Sequence, residues 1–246
     1  MYKLPLVNIF QKPYEIWSYR EATQGELNNT TDYGLIMHGV KEKLKYAIKN
    51  HYEAAEYILT VGADNGLEGF IDDFLSNSED FKNMRRLMPQ QISKSFKDYQ
   101  QHYPKYDRNQ LLLDIDNINR TLSEGQILFH GGLWFNDQLS QICTTEPLST
   151  SFCPQVALRN AEWGGKAYDR GRIDLFVLRA KSPKTKVFVY RQKGTRMGNE
   201  KEVLFNSGAT LILRKKYLIR DDFTVGKGFP TSSKKISVYL LEIDII

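Results

Sequence analysis

The stretch from Gly198 to Gly208, GNEKEVLFNSG, places Glu200 and Glu202 one residue apart at what reads as the start of a strand. Carboxylates are poor strand formers, and two of equal parity share one face of a strand and repel there. A ligand or a reaction on that face would account for the cost. Two other short elements could carry chemistry. In ILFHGG, His130 ends an apolar run and precedes Gly131 and Gly132, which would let a ligand approach the backbone closely. In LSTSF, Ser149, Thr150 and Ser151 form a hydroxyl cluster ahead of a helix. Taken singly, a strand-ending histidine is more often structural, and such hydroxyls usually cap the helix that follows.

The charge around the glutamates is lopsided. From Lys181 to Arg220 there are eleven lysines and arginines against Glu200 and Glu202 alone, a local +9 in a chain whose total is +5. This suits a polyanionic ligand, a dinucleotide or a nucleic acid; a solvated basic face is the plain alternative.

Other chemistries lack their residues. Cys143, Cys153, His38, His51, His102 and His130 show no zinc-ligand spacing, so a metal site is not expected and both cysteines read as buried small hydrophobes. EWGGKAYDRG has Lys166 beside a glycine pair but no P-loop pattern, and neither a dinucleotide-binding glycine fingerprint nor a serine nucleophile elbow occurs. No apolar run approaches the ~20 residues of a membrane span, and the start MYKLPLVNIFQKPYEIW lacks a secretory pattern. A cytoplasmic protein with no membrane partner is the expectation.

The elements that must position these residues change period near Leu122. Before it, YEAAEYILTVG, LEGFIDDFLSN, SEDFKNMRRLM, PQQISKSFKDYQ and NQLLLDIDNINRTL carry helical apolar spacing, with Ser78 as an N-cap and Pro89 in the first turn of the next helix. After it, QILFHGG, PLSTSF, RIDLFVLRA, KVFVYR, EVLF, ATLILRKKYLI and ISVYLLEIDII read as strands, interrupted by one helix, CPQVALRNAEW. Helices first and strands afterwards predict an α+β protein, with a helical region at 1–121 packing on a catalytic core at 122–246.

Together, in this order and spacing, the three elements resemble the mono-ADP-ribosyltransferase family, in particular its toxin-like branch, whose signature is an Arg, a Ser-Thr-Ser and a Glu-x-Glu. The resemblance runs from about Gln126 to Ile246, roughly half of the chain. It implies a split antiparallel β-sandwich, with LSTSFCPQVALRNA as the family's second strand and following helix and EKEVLFNSGATLIL as the catalytic strand and the next. One position departs: His130 stands where the toxin-like branch has arginine. Histidine is found there in the polymerase-like branch, whose tyrosine element is absent. A neutral imidazole offers one N–H, suited to a ribose hydroxyl, where arginine would grip phosphate through two.

The resemblance implies NAD as substrate, without a metal. Breaking the nicotinamide–ribose bond leaves an oxocarbenium-like sugar, which needs a fixed negative charge near C1′. Glu202 is expected to supply it, Ser149 to hold Glu202 or the ribose in register, and Glu200 to orient or deprotonate the acceptor. Thr150 and Ser151 would support the strand and cap the helix. Gly131 would lie against the ligand, Arg159 or Lys166 would take the phosphates, and Phe152, Trp163 or Tyr168 would stack on nicotinamide beneath a flap at NAEWGGKAYDRGR. YRQKGTRMGNE, with Gly194 and Gly198, is similar to the family's acceptor-recognition loop.

The acceptor implied is macromolecular: a protein arginine by default, with single-stranded RNA or DNA favoured by the local charge. An NAD glycohydrolase would use the same residues, and an inactive interaction module is a third reading. The resemblance further implies a toxin or effector, with an antitoxin or immunity protein as a partner.

Overall fold

The computed structural model describes residues 2–31, 39–134, 136–192, 198–228 and 232–246. A short strand β1 (Tyr2–Lys3) leads through a turn at Ile9–Gln11 to an antiparallel pair, β2 (Tyr14–Arg20) and β3 (Val40–Ile48), with helix α1 (Gln24–Asn28) between them in sequence. Helices α2 (His51–Val61), α3 (Asn65–Asn77), α4 (Glu79–Arg86), α5 (Lys94–His102) and α6 (Arg108–Ile118) follow. Then come β4 (Arg120–Thr121), β5 (Ile127–Gly132), β6 (Gln141–Cys143), β7 (Leu148–Ser151), α7 (Pro154–Glu162), α8 (Lys166–Arg170), β8 (Arg172–Ala180), β9 (Val187–Val189), β10 (Glu202–Phe205), β11 (Thr210–Lys227) and β12 (Ser232–Ile245). The architecture is α+β, as expected.

Every helix and strand expected beyond residue 50 forms. The first fifty residues differ, for they hold the β2–β3 pair. In VKEKLKYAI most positions are exposed, so the strand buries little and its charged alternation leaves a weak apolar signal. Ser78 caps α4 by accepting from Phe81 N–H at 3.2 Å. Pro89 lies in the loop before α5, whose N-cap is Ser93. Cys153 is buried, whereas Cys143 is exposed because β6 is an edge strand.

The main sheet runs β6-β11-β12-β8-β5-β7-β10-β9 and is antiparallel except for the β12–β8 pair. Its weak point is central. β5 and β7 share a single register pair, Phe129 with Ser151, while β5 pairs with β8 over six residues and β7 with β10 over four. The sheet therefore splays there into a five-stranded and a three-stranded part, the form in which the expected split appears. One contiguous apolar core, from Leu4 through the helices to Ile245, joins both halves of the chain. No helix among the described residues is long and apolar enough to cross a membrane.

Candidate active site

The split opens a cleft of about 530 Å³ whose walls come from β5, β7, the start of β10, α7 and the α5–α6 segment. His130 and Ser149 flank it at the point where the strands part. There the backbone ladder stops, and the histidine ring takes its place: Nδ1–H donates to the Ser149 carbonyl at 2.7 Å. A carbonyl only accepts, so the proton sits on Nδ1 and Nε2 is left as an acceptor when the ring is neutral. Burial, with Lys166 and Arg170 nearby, lowers the His130 pKa and favours that neutral form. The expected role is thereby altered, since the ring's one N–H is spent on the fold and the cleft can be offered an acceptor.

Ser149 and Glu202 are diagonal neighbours on one face of the β7–β10 pair, because Glu202 stands opposite Ser151 and Ser149 two residues further. The Ser149 hydroxyl donates to Glu202 Oε1 at 2.6 Å. Gln100 Nε2, from α5, donates to Oε2 at 3.0 Å. Glu202 is buried, and its pKa is pushed up to about 7 by burial and by the neighbouring Glu200, against the pull of the Ser149 and Gln100 hydrogen bonds. Such a carboxyl changes charge near neutrality with small changes in its surroundings.

Glu200 lines the same cleft but not by strand parity. It ends a 3-10 turn, Gly198–Glu200, and the strand begins at Glu202. Lys201 between them has a φ of 51°, so the chain turns sharply there. Its ammonium points into the interior, 3.2 Å from Glu68 and 3.1 Å from Asp72 on α3. Burial raises the Glu200 pKa, and its carboxyl has no hydrogen-bond partner among the described residues.

The hydroxyls beside Ser149 hold the frame, but Ser151 does not cap α7 as expected, because the N-cap is Cys153 and carries no side-chain cap. Thr150 Oγ1 donates to the Val203 carbonyl at 2.6 Å. Ser151 Oγ donates to the Glu200 carbonyl at 2.7 Å and accepts from Cys153 N–H at 3.0 Å, tying the Glu200 turn to the start of α7. Gly131 lines the cleft, but its missing Cβ has another reason: one built there would stand 1.8 Å from the Ala157 carbonyl oxygen of α7. Helix-to-strand packing, rather than ligand approach, requires the glycine.

The other expected binding residues divide. Lys166 and the 75% exposed Trp163 stand on the rim of the cleft. Arg159, between the cleft residues Ala157 and Asn160 on α7, turns to α3, where it pairs with Glu68 at 2.6 Å and does not line the cleft. Phe152 is fully buried in edge contact with Phe81, and Tyr168 lies under Lys234, 4.7 Å from its ring centre. Neither ring reaches the cleft, because β7 turns its last residues into the core and α8 packs against the β11–β12 side. Gly194 lies outside the described residues. Gly198 is packed so tightly that a Cβ would meet the Gln192 carbonyl at 1.9 Å, which draws the two ends of that loop together.

Sequence reasoning missed the α5–α6 wall. Tyr99, Tyr103 and Tyr106 line the cleft and touch one another, with ring centres 5.0 to 6.0 Å apart. Tyrosines spaced by three or four residues across YQQHYPKY were the available signal. No three His, Cys, Asp or Glu among the described residues group so as to hold a metal ion. The local +9 is dispersed: Lys186, Lys201, Arg214 and Lys216 are paired with Asp116, Glu68, Asp244 and Asp137.

No protein-family model matches the sequence, and no curated protein matches it. Solved structures of bacterial ADP-ribosyltransferase toxins do match the fold. The ADP-ribosyltransferase Vis in complex with agmatine aligns over 75% of this chain and 86% of its own, at 12% identity and a TM-score of 0.45. The Vis toxin from Vibrio splendidus aligns over the same shares at 12% identity and 0.38. C3larvin toxin from Paenibacillus larvae aligns over 79% of this chain and 92% of its own, at 14% identity and 0.31.

Proposed function

We propose that this chain is an NAD-dependent ADP-ribosyltransferase acting on a macromolecular acceptor. The observation that carries the reading is the Glu202 carboxyl, held by Ser149 and Gln100 in the wall of a cleft that Glu200 also enters. Two carboxyl groups in different settings, Glu202 gripped by two donors and Glu200 without a hydrogen-bond partner among the described residues, suit separate tasks.

In this reading the C1′–N bond of NAD breaks and its electron pair leaves with nicotinamide, which departs neutral. Ionised Glu202 stabilises the positive charge left on the ribose, worth more in the dry wall of the cleft than in water. Ser149 and Gln100 fix the carboxylate, so little reorganisation is needed as charge develops. The acceptor nucleophile bonds to C1′ and Glu200 takes its proton. His130 Nε2 is suited to accept from a ribose hydroxyl, Lys166 to meet a phosphate, and the tyrosine wall to stack on a base or on nicotinamide.

The test is incubation with adenine-labelled NAD in a cell lysate divided into RNase-treated, protease-treated and untreated portions, with Glu202→Gln as control. Label lost to protease identifies a protein acceptor, and label lost to RNase an RNA acceptor. Nicotinamide release without macromolecular label would mean that water is the acceptor and the protein a glycohydrolase. Equal inertness of wild type and Glu202→Gln, with no NAD bound, would overturn the reading. A toxin or effector role goes with it, and growth arrest on expression that Glu202→Gln abolishes is the corresponding outcome in cells.

A further inference from the structure

A second cavity, of about 880 Å³, lies between α4, the loop that follows it and the residues after β9, and shares no lining residue with the cleft. Its charged lining is wholly cationic: Lys82, Arg85, Arg86 and Arg191. Lys82 and Arg86 have an outer partner in Glu79, at 2.8 and 3.9 Å. Arg191 donates to the Gln90 carbonyl.

Arg85 is different. Its Nε and Nη1 are buried without a hydrogen-bond partner. The guanidinium lies 5.9 Å from the Phe188 ring centre, which gives it a floor but no acceptor. Burial and the neighbouring Arg191 charge bring its pKa down to about 10. A guanidinium in that position is costly alone, and an oxyanion accepting from two of its N–H groups would relieve both the lost hydration and the repulsion. Phosphate has the geometry for that fork.

The cavity is larger than one phosphate requires. Gln90, Gln91 and Gln192 add amide groups able to donate and accept, as base edges demand. It is also joined to the reaction site, because the Gln192 carbonyl packs against Gly198, two residues before Glu200, and the Gln192 amide reaches Asp72, the partner of Lys201. We propose that this cavity binds the phosphate backbone of a single-stranded nucleic acid and delivers that strand to Glu200 as the acceptor. The anion site stands by itself; its assignment to the acceptor rests on the transferase reading.

The experiment measures binding of a labelled single-stranded oligonucleotide to the full chain by fluorescence anisotropy over a range of salt. Wild type is compared with Arg85→Gln and with the surface variant Arg86→Gln, against duplex of the same sequence and polyglutamate as rival polyanions. NAD turnover is followed in the same samples. The expected result is a single-strand affinity lowered about tenfold by Arg85→Gln, with the log–log salt slope reduced by about 0.7 for each phosphate contact removed, and NAD turnover to free ADP-ribose unchanged. Arg86→Gln, outside the packed interior, gives the same direction of change if Arg85→Gln fails to fold. Equal binding by wild type and both variants, or binding of polyglutamate or duplex as tight as the single strand, overturns the proposal. If oligonucleotide binding fails while NAD is still consumed, this proposal falls alone. If binding behaves as expected but NAD is neither bound nor consumed, the transferase reading falls and the anion site remains.

Discussion

The His130 ring donates a hydrogen bond to the Ser149 carbonyl, 2.7 Å away, where β5 and β7 part. Ladder pairing between these strands is confined to Phe129 and Ser151, so the ring bridges a gap that the backbone leaves open. Ser149 in turn grips Glu202. A residue expected to act on the ligand thus also sets the position of the residue that holds the central carboxylate.

The two parts of that role can be separated. His130→Ala removes both the N–H and Nε2, and is expected to cost about 1–2 kcal/mol in urea unfolding along with most NAD turnover. His130→Asn keeps a donor near the Nδ1 position without an Nε2 acceptor. Stability restored by asparagine without activity would assign Nε2 to the ligand; restoration of both would make the ring a clamp only.

Activity should rise with pH through about 7 as Glu202 ionises. The ordering of variants is the sharper check. Ser149→Ala and Gln100→Ala each remove a donor to the carboxylate, so the acidic limb of the kcat/KM profile of the variants should move to higher pH. Glu200→Gln removes a repelling charge and should move it lower. Limbs that stay together in all variants would mean that another group titrates.

Stability should follow the same ionisation. The Glu202 pKa is raised from 4.5 to about 7 in the folded chain, so the native state binds the extra proton. Its contribution is fully present below pH 4.5 and is lost as pH rises through about 7. Glu202→Gln stays neutral and should be more stable than wild type at pH 8, by up to about 3 kcal/mol, with the gain shrinking toward zero at pH 4. Chemical denaturation at the two pH values reads this directly.

The strands and helices that frame the site were legible because each carries its own period: RIDLFVLRA is buried almost throughout, and CPQVALRNAEW starts with proline in its first turn. The Ser149 and Glu202 pairing followed from the resemblance and fits the register. What escaped is set by tertiary placement. Arg159 and Lys166 are equally basic in sequence, but only packing against α3 sends Arg159 to Glu68. Gln100 and the three tyrosines look like an unremarkable helix end and loop, and become a wall only because the end of α5 and the loop after it border the cleft. Glu200 shares the cleft with Glu202 through a left-handed Lys201, which no alternation rule anticipates.

Gly131→Ala should fail for a reason unrelated to ligand. The added methyl would overlap the Ala157 carbonyl, which belongs to helix backbone and cannot move without shifting α7. Overpacking of this kind costs about 3 kcal/mol, read as a lowered melting temperature with or without NAD. A variant of normal stability that binds NAD weakly would instead restore ligand approach as the reason for the glycine.

Lys201 joins the two glutamates to the helical half, and its removal should be felt on both sides. The ammonium has no exposed surface and lies between Glu68 and Asp72. In Lys201→Met, Glu68 retains Arg159, and among the described residues Asp72 keeps its 3.4 Å contact from Gln192. A loss of only about 1 kcal/mol is expected, because neither carboxylate is left buried and unpaired: Glu68 keeps Arg159 and the Asp72 side chain is 44% exposed. Because the Lys201 carbonyl accepts from Phe152 N–H and the Lys201 N–H donates to the Gly198 carbonyl, the turn carrying Glu200 should loosen as its anchor goes. Acceptor labelling should then fall more than nicotinamide release, since Glu202 keeps Ser149 and Gln100 while Glu200 loses its placement. Equal loss of the two activities would show that Lys201 supports the fold as a whole and not the division of labour between the glutamates.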